Sequence, residues 1–376
     1  MSDQETDGVR MPGGATVGWI SEASEPVPVT VSVVDDSVRA KDALSRLNAG
    51  DTLMWTGDYH NGRQLLRAVD RRIRYRSDGA ERPVGVRWRE ERRETSRRAE
   101  ILGRLVVLIG ADGSLGLRRA PDTREAVHWA WGRSTQGRLV SLRTLVGALG
   151  AAGWRRRGLE VAGLEGRLTP HYGVFSPTRQ AYVALLDELG DASGRTALDV
   201  GCGTGILSFV LLQRGLASAT GTDVDLRAVS CAQENGSRLG FEGRFRAVVA
   251  DLFVEERFDW VIFNAPWMPE TPATRLDRAV FDPEGETLQR WISGVSHHLR
   301  PGGQALLILS DLPERLGLRD PAHLGELFAT ARLQVVRESS RPAGHGRARD
   351  PSDPLNVVRA SEQIRLFVLE SMDGRD

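Results

Sequence analysis

The sequence predicts an α/β protein: a doubly wound, mostly parallel sheet in the C-terminal part, preceded by a smaller α+β domain. Three observations carry this. From about Thr169 to Glu370, short apolar runs alternate with segments of helical periodicity, the pattern of strands joined by crossover helices. A glycine-rich turn, Gly201-Cys202-Gly203-Thr204-Gly205, stands between one such run and a helical segment. The run Trp260-Val261-Ile262-Phe263 ends on Asn264-Ala265-Pro266-Trp267, and ligands in open sheets of this kind sit outside the carboxyl ends of strands.

The bulk properties exclude several classes. With 376 residues the chain has room for two domains. Its formal net charge is zero, so a nucleic-acid partner, possible but not favoured, would have to rest on a local basic stretch. No apolar run reaches membrane-spanning length, so no membrane partner is expected. Only Cys202 and Cys231 occur, too few for a disulfide scaffold; a reducing cytoplasm is the expected compartment. No group of Cys, His and acids has a metal-ligand spacing.

Residues 1–30, rich in Gly, Pro, Ser and acids, read as disordered. Residues 31–160 read as the small α+β domain. Helices are expected at Asp36–Leu47, Asn61–Ile73, Arg87–Arg104, Thr123–Trp131 and Ser141–Leu149, and strands at Thr52–Trp55 and Leu105–Ile109. Leu115–Leu117 should pair across Asp112-Gly113 as a hairpin. A loop holding Trp55, Asp58, Tyr59 and Asn61 marks this as a possible substrate-selecting domain. In residues 165–372 seven strands are expected: Thr196–Val200, Ser218–Thr222, Arg244–Val249, Trp260–Phe263, Ala305–Ser310, Leu333–Glu338 and Ile364–Glu370, the last antiparallel. Helices fit Thr178–Leu189, Ile206–Arg214, Leu226–Leu239 and Thr287–Leu299.

The glycine turn does not have the G-x-G-x-x-G spacing of dinucleotide sites. Asp199 precedes it at the strand tip, where a carboxylate repels a phosphate and welcomes a cation. That favours S-adenosylmethionine, which has an ammonium, a sulfonium and no phosphate. Asp223 closes the next strand, a position suited to ribose hydroxyls. Asp251, followed by Leu252, closes the third and can accept from an adenine amino group.

Residues 170–312 resemble the class I S-adenosylmethionine-dependent methyltransferases. Asp199-Val200-Gly201-Cys202-Gly203-Thr204-Gly205 is similar to the first motif of that family. Asn264-Ala265-Pro266-Trp267 resembles the Asn-Pro-Pro-aromatic motif of its amino-methylating branch, whose members act on adenine-N6, guanine-N2 or protein glutamine. His171-Tyr172-Gly173-Val174-Phe175-Ser176-Pro177-Thr178 resembles the stretch that precedes the sheet. The resemblance implies a Rossmann-like domain, with Phe175, Thr178, Asp199, Gly201, Cys202, Gly203, Gly205, Asp223, Asp251, Leu252 and Asn264 around the cofactor. It implies catalysis by Asn264, Ala265, Pro266 and Trp267. Ala265 departs from the usual proline, but keeps its carbonyl, and Pro266 still biases it to extended backbone.

An amide or guanidine nitrogen shares its lone pair with a π system. Two acceptors, the Asn264 side-chain oxygen and the Ala265 carbonyl, can hold its N–H groups and turn the lone pair toward the methyl group. Trp267 can stack on the flat acceptor. His171, Tyr172 and Asp282 are further candidates for the substrate. Fourteen arginines fall between Arg63 and Arg104 but are interleaved with seven acids, as on a solvated helix. Glu270, Asp277, Asp282 and Glu284 follow Trp267 and disfavour a phosphate backbone there. A small molecule is the expected acceptor, biosynthesis the expected setting; a nucleobase of RNA or DNA, or a protein glutamine, are the alternatives.

Overall fold

The computed structural model describes residues 8–22, 25–73, 82–344, 346, 350, 353 and 355–372. The chain divides into two units, Met1–Gly153 and Trp154–Asp376. No helix among the described residues is long and apolar enough to cross a membrane.

The first unit is built on a six-stranded mixed sheet. Its strands are Gly8–Arg10 (β1), Thr16–Ile20 (β2), Val31–Val34 (β3), Thr52–Trp55 (β4), Leu105–Ile109 (β5) and Arg138–Ser141 (β6), in the order β1-β2-β6-β5-β4-β3. This corrects the reading of residues 1–30 as disordered. Val9, Val17 and Ile20 are buried in β1 and β2, and β2 lies parallel to β6. Composition hid them because the apolar residues come in short pieces among Gly and acids. Residues 1–7 and 23–24 lie outside the described residues. The expected Leu115–Leu117 strand reduces to a single bridge, Ile109 to Leu115.

In the loop that the sequence marks for substrate selection, the side chains of Trp55, Asp58 and Asn61 are bonded within the first unit. Asp58 caps the helix Tyr59–Asp70 by accepting from the His60 and Asn61 N–H groups, and Arg119 donates to both of its oxygens. Trp55 Nε1 donates to the Asp58 carbonyl, and Asn61 Nδ2 donates to Asp36.

The second unit opens with a short antiparallel pair, Leu159–Glu160 (β7) and Arg167–Leu168 (β8). Its seven-stranded sheet comprises Thr196–Val200 (β9), Ser218–Asp223 (β10), Phe245–Val249 (β11), Phe258–Asn264 (β12), Leu299–Ser310 (β13), Leu333–Pro342 (β14) and Gln363–Ser371 (β15). The order is β11-β10-β9-β12-β13-β15-β14. Strands β9 to β13 run parallel to one another, and β15 runs antiparallel to both β13 and β14, as the sequence predicts. The expected helix Thr178–Leu189 is shorter: Ala181–Ala184 continues as a 3₁₀ turn, Leu185–Glu188.

Side chains of a strand alternate between the two faces of its sheet, and the central strands here are buried on both. Ala197, Trp260, Ile262, Leu306 and Ile308 pack on one face with Phe209 and Leu212 of the helix Ile206–Gln213. Leu198, Val261, Phe263 and Leu307 pack on the other with Trp291 and Ile292 of the helix Glu286–Gly294. The fully buried Trp291 ring stands 5.6 Å from that of Phe263, between centroids.

We expect Trp291→Ala to cost about 3–5 kcal/mol of stability in urea denaturation. Trp291→Phe should cost clearly less, since it keeps most of the packing and removes an indole N–H that has no partner among the described residues. Equal losses for both variants would contradict this packing account.

Candidate active site

β9 lies between β10 and β12, so the chain leaves β9 toward one side of the sheet and returns on the other. This is a switch point, where a crevice forms at the carboxyl edge. Val200 pairs with Thr222 on one side and with Phe263 on the other. The tips that follow carry the glycine turn, Asp223 and Asn264. They line an open cleft of about 930 Å³, together with Gly173, Val174 and Phe175 of the segment that precedes the sheet.

The glycine turn is held from both ends. The Cys202 N–H donates to the Thr222 carbonyl at 2.8 Å, and the Gly205 N–H donates to the Cys202 carbonyl at 2.7 Å. Gly205 has φ 81°, and a Cβ there would stand 2.5 Å from the Phe209 ring. Gly203 also has positive φ, but a Cβ on it would meet nothing nearer than 4.0 Å. Its bare backbone therefore leaves room for a ligand.

Two carboxylates dominate the electrostatics. Asp199 is buried, and Ser208 donates to its Oδ2 from both N–H (3.2 Å) and Oγ (2.7 Å). Burial pushes its carboxyl up to about 7; the Asp223 carboxylate adds to the rise and the Ser208 bonds oppose it. Asp223 accepts from the Gly203 N–H at 3.1 Å and the Asp225 N–H at 2.9 Å, and burial raises it too. Among the described residues neither carboxylate is ion-paired with a protein cation. A cleft with two desolvated, uncompensated carboxylates suits a cationic ligand with hydroxyls and repels a pyrophosphate. S-adenosylmethionine fits this donor set; a nicotinamide dinucleotide does not.

On the acceptor side, Asn264, Pro266 and Trp267 line the cleft. Among the described residues the Asn264 side chain makes no hydrogen bond and is half-buried. Ala265 is fully buried and anchors the turn by donating its N–H to the Ile308 carbonyl at 3.2 Å. The Trp267 and Met268 N–H groups both donate to the Val280 carbonyl, which clasps the base of the loop 269–279. Pro266 and Trp267 also line a second, open cavity with Asp282, Glu284, Leu288 and His323.

Several expected site residues lie elsewhere. Asp251 is exposed, and Arg290 donates to its carboxylate at 2.6 Å. Leu252 is buried in a left-handed turn (φ 70°) with its carbonyl accepting from Thr222 Oγ1. Neither lines the cleft, because β11 is an edge strand and the chain turns away after it. Thr178 and Tyr172 are not among the lining residues. His171 instead bonds Glu234 at 2.9 Å, and burial lowers its basicity. Asp282 serves as a helix cap, accepting from the Thr287 and Leu288 N–H groups, and lines only the second cavity.

Other lining residues carried no sequence signal. Tyr182 and Asp225 join the cofactor side. The 3₁₀ turn Leu276–Ala279 brings Arg275 and Arg278 to the cleft as well. The loop after Trp267 thus faces the cleft with cations, not with the acids that dominate its sequence.

Gly205→Ala should destabilise the glycine turn by about 1–3 kcal/mol and weaken S-adenosylmethionine binding in calorimetry. An unchanged affinity would show that the turn tolerates a Cβ and that the Phe209 contact is slack. Asp199 gives a pH test. Folded Asp199 keeps its proton up to about 7, whereas its ordinary value is 3.8. Its contribution to the ligand-free fold is therefore complete below pH 4 and lost as pH rises through 7. Wild type should lose more stability than Asp199→Asn between pH 5 and pH 8; parallel profiles would refute the raised value.

Comparison with known proteins agrees with this geometry. Residues 165–335 match the methyltransferase small domain family. A protein of Methanocaldococcus jannaschii named "Putative protein N5-glutamine methyltransferase" is 30% identical over 190 residues, covering 48% of this chain and 94% of that one. The release factor glutamine methyltransferase of Cereibacter sphaeroides is 32% identical over 164 residues, 38% of this chain and 59% of that one. A solved geranyl diphosphate methyltransferase with bound S-adenosylmethionine aligns at a TM-score of 0.39 and 17% identity, over 51% of this chain and 84% of that one. The chain belongs to the methyltransferase small domain family, in the amino-methylating branch of the class I S-adenosylmethionine-dependent methyltransferases.

Proposed function

We propose that this enzyme methylates the side-chain amide nitrogen of a glutamine in a protein. The observation that carries the reading is the placement of Asn264 and Trp267 at the tip of β12, one strand from the glycine turn and on the same cleft as Asp199 and Asp223. The names of the two relatives described above add support, since each is called a glutamine methyltransferase. The small-molecule acceptor favoured by the sequence gives way on two grounds. Neither relative is named for a small molecule, and Arg275 and Arg278 offset the acids that motivated it. An open cleft admits a side chain presented on a polypeptide.

Bound S-adenosylmethionine supplies an activated methyl group. The protein has to orient an amide nitrogen whose lone pair is delocalised. The Asn264 oxygen accepts one N–H of the acceptor amide and the Ala265 carbonyl the other. Trp267 covers the flat amide face. The new N–C bond would form as the methyl–sulfur bond breaks, with a neutral thioether as the leaving group and Asp199 and Asp223 as the residues that would hold the cofactor. The amide nitrogen then returns one proton to solvent. Such positioning is worth up to roughly 7–11 kcal/mol.

The test is an assay with methyl-labelled cofactor on proteins, RNA and small metabolites in parallel. Label should enter protein, and strong acid should release it as methylamine, the product expected from an N-methylated amide. Label confined to RNA or metabolites would overturn the reading. In the same assay Asn264→Ala should lower kcat about a hundredfold and leave cofactor affinity within a few-fold. Trp267→Ala should mainly raise the acceptor KM. Wild-type kcat in Asn264→Ala would point to transfer onto oxygen or carbon instead.

A further inference from the structure

The cofactor cleft has two walls that are separate in sequence. One is the glycine turn at 201–205. The other is the strap 169–175, whose Gly173, Val174 and Phe175 line the cleft opposite. Apart from general packing, something must hold these walls at a fixed separation, because each is a loop with few backbone bonds of its own.

The helix Leu226–Arg238 does this through one side chain. Asn235 is fully buried. Its Oδ1 accepts from the Thr169 N–H at 2.9 Å and from Thr169 Oγ1 at 2.7 Å. Its Nδ2 donates to the Thr204 carbonyl at 3.1 Å. One amide thus ties the start of the strap to the centre of the glycine turn, using both its acceptor and its donor. The rest of the strap is laid along the same helix. Cys231 Sγ donates to the Thr169 carbonyl at 3.5 Å, and His171 bonds Glu234. Val174 packs on Ala228 and Cys231. These contacts fix the strap to the helix, but Asn235 also reaches the opposite wall.

We propose that Asn235 is a positioning residue for cofactor binding: it clamps the strap to the glycine turn and so sets the width of the cofactor cleft. The amide suits the task for a physical reason. A hydrocarbon of the same size would leave the Thr169 N–H and the Thr204 carbonyl buried without partners, so each wall would drift toward water to satisfy them. An aspartate would keep the acceptor, lose the donor to Thr204 and bury a charge. The clamp touches neither reacting group, so its loss should weaken cofactor binding and spare the chemical step. This inference rests on the cleft being the cofactor site.

The test uses the full chain, at temperatures well below melting. S-adenosylmethionine Kd comes from calorimetry, kcat is measured at saturating cofactor, and exchange of strap amides is followed by hydrogen exchange. Asn235→Leu should weaken binding about tenfold, roughly the loss of one to two buried hydrogen bonds. Its kcat should stay within about threefold, and protection at 169–175 should fall while β9 and β12 remain protected. Thr169→Val removes only the hydroxyl donor, so it should shift Kd in the same direction by a smaller factor and keep the fold if Asn235→Leu does not. A purely structural role would lower the melting temperature and leave Kd unchanged; that result in either variant overturns the proposal. So does a fall in kcat at unchanged Kd. Asp223→Ala separates the two claims. If it weakens binding and the clamp variants do not, the clamp alone fails; if none of the three does, the cleft is not the cofactor site.

Discussion

Two desolvated carboxylates at the tips of neighbouring strands, neither of them ion-paired with a protein cation among the described residues, organise everything around this cleft. Asp199 and Asp223 are placed there by sheet order, because β9 and β10 run parallel and end at the same edge. Burying charge without a partner is costly, and a fold keeps such an arrangement where a ligand provides the compensation. The glycine turn between the two strands then makes sense as the stretch where bare backbone must approach that ligand. The same requirement explains the absence of phosphate-binding glycine spacing, since anionic cofactors and these aspartates would repel each other.

The other side of β9 supplies the second half of the chemistry. β12 is its neighbour there, so the Asn264 turn opens onto the cavity that the carboxylates face. Ala265 replaces the proline that the family motif would carry, and the structure provides rigidity in another way. Its N–H, which a proline would lack, is bonded to Ile308, and the loop that follows is clasped at Val280. The departure from the motif therefore exchanges ring stiffness for a hydrogen bond at the same place.

The sheet was legible because its strands are apolar runs buried on both faces, and periodicity marks such runs well. Thr196–Val200 and Thr52–Trp55 were read to the residue. What the pattern could not carry was direction. Asp251 stands at a strand tip as Asp199 and Asp223 do, yet an edge strand followed by a left-handed turn at Leu252 sends it to the surface. Strands β1 and β2 escaped notice because three or four apolar residues in polar surroundings fall below what composition resolves. Arg275 and Arg278 escaped for a related reason: a charged loop gives no clue to which of its side chains face the site. The hydrogen bonds of Asp282 show the reverse case: a polar residue that follows a motif in sequence caps a helix.

The central claim is that one cleft holds the cofactor against the Asn264 turn. A crystal structure of the chain with bound S-adenosylhomocysteine tests it most directly. The account predicts the ribose hydroxyls on Asp223, the amino group beside Asp199 and the sulfur directed toward Asn264 across the glycine turn. The nucleoside lying in another cavity, or lying here with its sulfur turned away from Asn264, would contradict it.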